Sequence, residues 1–498
     1  LHNEAAGPGA LALIERLGAL AGGRIQPMNA LLQDLAESPR SIHAMRRARL
    51  AARMASLGGG IAIVPTAPEQ QRNSDNQFPY RFDSHFHYLT GFGEPQAWLV
   101  LASDGRSSLF CRSKDVDREI WDGFRLGPEA APSALDVDEA FAIGELDSRL
   151  PQLIANHAAL WFPFGLHADL PPRLEGWLAA VRQRVREGVM APGMQRDLAP
   201  LLDDMRLVKD TNEITTMRRA ARISAAAHAR AMRFCAARFR DGAAAVPEYE
   251  IEAELLHEFR RQGAQSPAYP SIVAAGANAC VLHYAAGDTP LRAGELCLID
   301  AGCELDGYAS DITRTFPASG RFTGPQRALY DIVVAAQQAA IAATRPGARQ
   351  RDAHHAAVRV LSQGMLDCGL LDANRVGDLD AVVEKAAYRQ FYMHGTGHWI
   401  GLDVHDVGDY LSLDEAPCEQ PDGQGGKVLR KPSRILQPGM AVTIEPGLYV
   451  RPAEGVPAQF WNIGIRIEDD AIVTADGCEL ISRGVPVEAA EIEALMRG

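Results

Sequence analysis

Residues 296–316 read LCLIDAGCELDGYASDITRTF. The apolar run Leu296, Cys297, Leu298 and Ile299 predicts a strand, Leu305 to Gly307 a turn, and Tyr308 to Phe316 a returning strand. Each strand carries one aspartate, Asp300 and Asp311. An unpaired carboxylate in a half-buried hairpin costs several kcal/mol or takes up a proton, so two that face one another call for a cation. The competing reading places both at exposed strand ends, where acids usually lie.

Downstream, three of the 14 histidines fall within His394-Gly395-Thr396-Gly397-His398-Trp399-Ile400-Gly401-Leu402-Asp403-Val404-His405. Glycines between them allow close backbone approach, which points to a crowded polar cavity. The His394 to His398 spacing would suit a helical zinc pair, but the glycines and the missing HExxH glutamate speak against that helix. Two further segments alternate with period two. In 441–446, Val442 and Ile444 oppose Thr443 and Glu445; in 463–468, Ile463, Ile465 and Ile467 oppose Gly464, Arg466 and Glu468. Solvated outer faces explain either strand alone. They do not explain why an acid recurs on each segment near the histidines.

Asp300, Asp311, His398, Glu445 and Glu468 together supply one nitrogen donor and four carboxylates. Four negative charges balance two dications, and oxygen-rich ligation suits Mn²⁺ better than zinc. Such a pair lowers the pKa of a shared water and holds a developing oxyanion, so the chemistry implied is hydrolysis.

The rest of the composition narrows the class. The 498 residues carry 50 Lys plus Arg against 63 Asp plus Glu, a formal net charge of −13, which is the wrong sign for a nucleic-acid partner. No apolar run approaches the roughly 18 residues that cross a bilayer, and 1–10 lacks the pattern of a secretory signal. Eight scattered cysteines without a CxxC pair fit reduced thiols. The expectation is a cytoplasmic enzyme with neither nucleic acid nor membrane as partner.

Along the chain, 1–38 reads as an extension with a short helix at Leu11 to Leu20. Segment 39–208 reads as an α/β domain, with a basic helix from Arg46 to Met54 and strands at Gly60 to Val64, Ala97 to Leu101, Ser108 to Cys111 and Leu160 to Phe162. A helix opens at Asp210, with Glu213 three residues on as in a capping box, and marks the start of a second domain, 209–498. Pro417, Pro421, Gly423, Gly425, Gly426 and Pro432 mark Asp414 to Arg434 as a long loop.

The runs Leu298-Ile299-Asp300-Ala301-Gly302, Ser310-Asp311-Ile312-Thr313-Arg314-Thr315-Phe316, Met393-His394-Gly395-Thr396-Gly397-His398-Trp399, Thr443-Ile444-Glu445-Pro446-Gly447-Leu448-Tyr449 and Gly464-Ile465-Arg466-Ile467-Glu468-Asp469 resemble the pita-bread metallopeptidases, most closely aminopeptidase P. Gln71-Arg72-Asn73-Ser74-Asp75 and Tyr88-Leu89-Thr90-Gly91-Phe92-Gly93-Glu94-Pro95 resemble its N-terminal domain. The resemblance covers about residues 40–498 and implies an α/β N-terminal domain followed by an α+β pita-bread catalytic domain. It implies removal of an N-terminal residue that precedes proline, with two divalent metals, peptide substrates with proline second, and a homo-oligomer.

By the same resemblance, Asp311 and Glu468 bridge the metals, Asp300 completes one, and His398 with Glu445 completes the other. Glu445 shuttles a proton to the proline nitrogen. His283, His394 and His405 stand as catalytic and substrate-binding histidines that stabilise an oxyanion. Rings of His394, His405 and Tyr449 would wall the pyrrolidine, and Arg466 would hold the carboxylates in place. His87 stands where bacterial relatives often show Trp, so that contact to substrate differs here. Prolidase, which shares the five ligands but cleaves Xaa-Pro dipeptides, and a non-catalytic pita-bread binding protein are the alternatives.

Overall fold

The computed structural model describes residues 41–422 and 426–498. The extension 1–38 and its expected helix lie outside the described residues. Two compact units divide the chain, Leu1–Leu202 and Asp203–Gly498.

The first unit is built on a six-stranded sheet, in the order Glu139–Ala142, Ser107–Cys111, Trp98–Ala102, Ile61–Pro65, Ala159–Phe162, Met194–Asp197. Ile61–Pro65 runs antiparallel to Trp98–Ala102 and parallel to Ala159–Phe162. Four of these strands fall within one residue of the sequence expectation. Their residues are buried throughout, which is why they read as unbroken apolar runs rather than alternating ones. Ile63, Val100, Phe110 and Leu160 pack with Leu150 and Ile154 of one helix and Leu174, Trp177 and Val181 of another. The basic helix extends over Ile42–Ser56, with the Ser41 hydroxyl accepting from the Ala44 amide.

In the second unit the helix Thr211–Arg240 starts as the sequence predicts. The Asp210 carboxylate accepts from the amides of Asn212 and Glu213, and the Glu213 carboxylate accepts from the Asp210 amide. One line of its buried surface is made of small residues, Ala220, Ser224, Ala227 and Ala231, with His228 among them. That small face admits the aspartate-bearing strands at close range. Ser224 Oγ accepts the Cys303 amide at 3.0 Å, and a His228 ring N–H donates to the Ala301 carbonyl at 3.0 Å.

The segment 296–316 is more broken than a simple hairpin. Leu296–Asp300 pairs with Thr313–Pro317, with Ile272–Ala275 on its other side. Between them Cys303–Leu305 and Tyr308–Ala309 form a separate tight ladder. The kink is at Gly302, where an added Cβ would meet the Ser310 carbonyl oxygen at 1.6 Å, so only glycine lets the chain double back.

Further short sheets include Ala441–Ile444 with Asp469–Val473 and Cys478–Leu480, Gly447–Val450 with Ile463–Arg466, and Ala245–Pro247 with Pro290–Arg292. Both faces of Ala441–Ile444 and Ile463–Arg466 are buried, so the polar faces look into the protein and not into solvent. The expected loop 414–434 contains two paired strands among its described residues. Cys418–Pro421 and Lys427–Arg430 pair antiparallel, with Pro421 opposite Lys427 inside the ladder.

Candidate metal centre

Backbone pairing brings the donors together from four places in the sequence. Glu445 and Glu468 each lie just beyond a strand end. The Glu445 amide donates to the Thr396 carbonyl at 2.8 Å and the Thr443 amide to that of His398 at 2.9 Å, which lays the histidine segment beside the first glutamate. The Glu468 amide donates to the Thr313 carbonyl at 3.0 Å, and the Thr313 hydroxyl donates to Glu468 Oε2 at 2.6 Å. Gly397 permits the first approach, since a Cβ there would sit 2.0 Å from the Thr443 oxygen.

The result is a compact donor set. Ligand atoms of Asp311, His398 and Glu468 all lie within 4.8 Å of one another. His398 Nε2 is 3.5 Å from Asp311 and 3.8 Å from Glu445. Asp300 joins through Tyr269, whose hydroxyl lies between Asp300 and Asp311, 2.6 Å from Asp300 Oδ1. The His398 Nδ1–H donates to the Trp399 carbonyl at 2.9 Å, leaving Nε2 to face the carboxylates, the usual arrangement of a ligating imidazole.

The electrostatics describe a place that wants cations. Burial and then the charges of Asp311, Glu445 and Asp300 push the Glu468 carboxyl well above its ordinary range. Burial pushes Glu445 up to about 7 against the pull of His398, and raises Asp300 against Arg466. Burial also works to raise Asp311, but the bond and charge of His398 overcome it and hold that group low. Burial would depress His398, yet its bond to Asp311 and the charge of Glu445 hold it at about 9. Four carboxylates and one imidazole in this confinement fit a pair of divalent, oxygen-preferring metals.

Arg466 is the fixed counter-charge. Its guanidinium donates to Asp300 at 2.6 Å, to the Tyr449 hydroxyl at 3.0 Å and to the Thr313 hydroxyl at 3.1 Å. Tyr449 in turn donates to His394 Nε2 at 2.8 Å, and the His394 Nδ1–H donates to the Gly395 carbonyl at 2.7 Å. Burial and the neighbouring Arg466 keep His394 neutral, down at about 3. The rings of His394 and Tyr449 are 5.5 Å apart, and that of His405 meets His398 edge-on at 4.3 Å. His283 and His405 are both exposed, and His283 is close enough to depress His394 and His405 further. His87 belongs to the first unit, where it stacks on Phe82 with centroids 3.7 Å apart.

Sequence reasoning missed Tyr269, Thr313 and Asp470. The Asp470 carboxylate accepts the Asp311 amide at 3.1 Å from a fully buried position. Its place two residues after Glu468, in an acidic pair with Asp469, was the available signal. Tyr269 offered none.

Residues 215–475 match the model of Metallopeptidase family M24, and residues 43–161 match Aminopeptidase P, N-terminal domain. The Xaa-Pro aminopeptidases of Escherichia coli (strain K12) and Haemophilus influenzae are each 42% identical to this chain, over 88% and 93% of it and 94% and 99% of their own lengths. The solved structure of Pseudomonas aeruginosa aminopeptidase PepP is similar with a TM-score of 0.83 at 45% identity, covering 92% of this chain and 98% of that one. The chain therefore belongs to metallopeptidase family M24, with an aminopeptidase P N-terminal domain preceding its peptidase segment.

Proposed function

We propose that this chain is an Xaa-Pro aminopeptidase, which hydrolyses the bond between an N-terminal residue and a following proline. The convergence of Asp300, Asp311, His398, Glu445 and Glu468 carries the reading. Family membership implies divalent metal. In this reading Asp311 and Glu468 would serve both ions, Asp300 would serve one, and His398 with Glu445 would serve the other, with Mn²⁺ the working metal. When bound, the metals supply an acidified water and a polarised scissile carbonyl.

The chain's own groups do the rest. Glu445 Oε2 lies 3.7 Å from His394 Nδ1, at the edge of the donor set, and carries the proton to the departing proline nitrogen. His394, His405 and Tyr449 wall the pyrrolidine, and His283 and His405 reach the substrate as donors. Arg466, clamped on Asp300, keeps that carboxylate aimed while the free amine of the peptide docks beside it. We assign 39–208 as accessory and 209–498 as catalytic domain, working as a homo-oligomer. All eight cysteines are free, in keeping with a cytoplasmic site of action. No helix among the described residues is long and apolar enough to cross a membrane.

The test strips metal with a chelator, restores Mn²⁺, and offers Xaa-Pro-Yaa tripeptides beside Xaa-Pro dipeptides. Metal-dependent tripeptide cleavage is expected. Turnover of dipeptides alone reassigns the chain to prolidase, and no turnover with any metal favours a binding role.

A further inference from the structure

Glu248 is fully buried, and it lies well away in sequence from the donor set. Four donors converge on its two oxygens. Oε1 accepts the Ala275 amide at 2.8 Å and Asn278 Nδ2 at 3.0 Å; Oε2 accepts the Tyr284 hydroxyl at 2.9 Å and the Gly287 amide at 3.0 Å. All four belong to one segment, 275–287. The backbone adds two more ties, from the Glu248 amide to the Thr289 carbonyl and from the Tyr249 amide to that of Gly287, both at 3.1 Å.

That segment carries His283 on an exposed turn. The residue after it, Tyr284, is pinned at both ends. Its ring packs on the small cluster of Ile272, Ala274, Ala279 and Leu298, and its hydroxyl meets Glu248 and Asn278. On the other side Arg451 donates to the Cys280 carbonyl at 2.6 Å. The backbone fixes the point from which an exposed imidazole on a turn can reach, so the placement of His283 depends on this anchorage.

We infer that Glu248, acting through Tyr284 and the Ala275 and Gly287 amides, is a positioning residue for His283 in peptide cleavage. The inference rests on the aminopeptidase reading for its kinetic consequence, though the anchorage itself does not. A carboxylate is required because every partner donates; an amide at this position turns a second donor toward at least one of them and leaves that group unsatisfied.

The test combines amide exchange with a kinetic cycle on the Mn²⁺-loaded full chain. Glu248→Gln is expected to speed exchange over 275–289 and to lower kcat/KM on an Xaa-Pro-Yaa tripeptide by about tenfold or more. In a His283→Ala background the same change should have little further effect. An equal loss in both backgrounds makes Glu248 a general structural residue and overturns the inference, as does unchanged exchange over 275–289. Should Glu248→Gln fail to fold, Tyr284→Phe removes one tie and is read the same way at smaller amplitude. If the unaltered chain cleaves no Xaa-Pro peptide, the aminopeptidase reading falls, and the exchange result alone upholds or overturns the anchorage.

Discussion

Arg466 Nη2 sits 2.6 Å from Asp300 Oδ2, with both side chains largely withdrawn from water. The same guanidinium reaches Tyr449 and Thr313, so one planar group sets the orientation of the Asp300 carboxylate, the Tyr449 ring and the hydroxyl that bonds Glu468. A lysine ammonium carries its three donors on one nitrogen and cannot reproduce the planar spread of Nε, Nη1 and Nη2 over these three partners. Arg466→Lys is expected to lower kcat/KM and Mn²⁺ affinity by about 10- to 100-fold while the fold is kept. Metal titration followed by activity measures both, and unchanged values would remove Arg466 from its positioning role.

Gly302 is expected to be irreplaceable for steric reasons. Its Cβ position lies 1.6 Å from a backbone oxygen, and backbone cannot step aside as a side-chain tip can. Gly302→Ala should lose about 3 kcal/mol or more in denaturant unfolding. Stability close to that of the unaltered protein would mean that Gly302 is not tightly apposed to the Ser310 carbonyl.

His228 gives a pH dependence whose sign is fixed. Burial holds this imidazole down at about 4, with its other ring nitrogen unpartnered. The unfolded chain binds the proton below about 6.5 and the folded chain does not until about 4, so stability is full above 6.5 and falls with pH across that window. His228→Gln keeps a donor for the Ala301 carbonyl and removes the titration. Between pH 7 and 4.5 the unaltered protein should lose about 2 kcal/mol more than the variant. Parallel unfolding curves would contradict the burial of a neutral ring.

What the sequence disclosed follows from how local each signal is. The Asp210 capping box was readable because its partners are three residues apart, and the strands of the first unit because two-sided burial writes itself as apolar runs. The five donors stood out by residue type on patterned segments. Tyr269 did not, because its partners lie 31 and 42 residues away and a single tyrosine in a proline-flanked stretch has no periodicity. The inward-facing polar sides of Ala441–Ile444 and Ile463–Arg466 imitate a solvated surface, since a polar cavity and water select the same residues. In 427–430 the strand is largely exposed and carries no alternation, so its pairing with 418–421 was hidden behind the glycines and prolines.

We propose that Asp300, Asp311, His398, Glu445 and Glu468 would hold two metal ions, with Asp311 shared between them. Titrating Mn²⁺ into chelator-treated protein, with metal content and Xaa-Pro-Yaa cleavage followed together for the unaltered chain and Asp311→Ala, tests it most directly. The expected result is cleavage that rises until two ions are bound per chain, and loss of both ion retention and cleavage in Asp311→Ala with circular dichroism unchanged. Retained cleavage in Asp311→Ala, or full activity without bound metal, would contradict it.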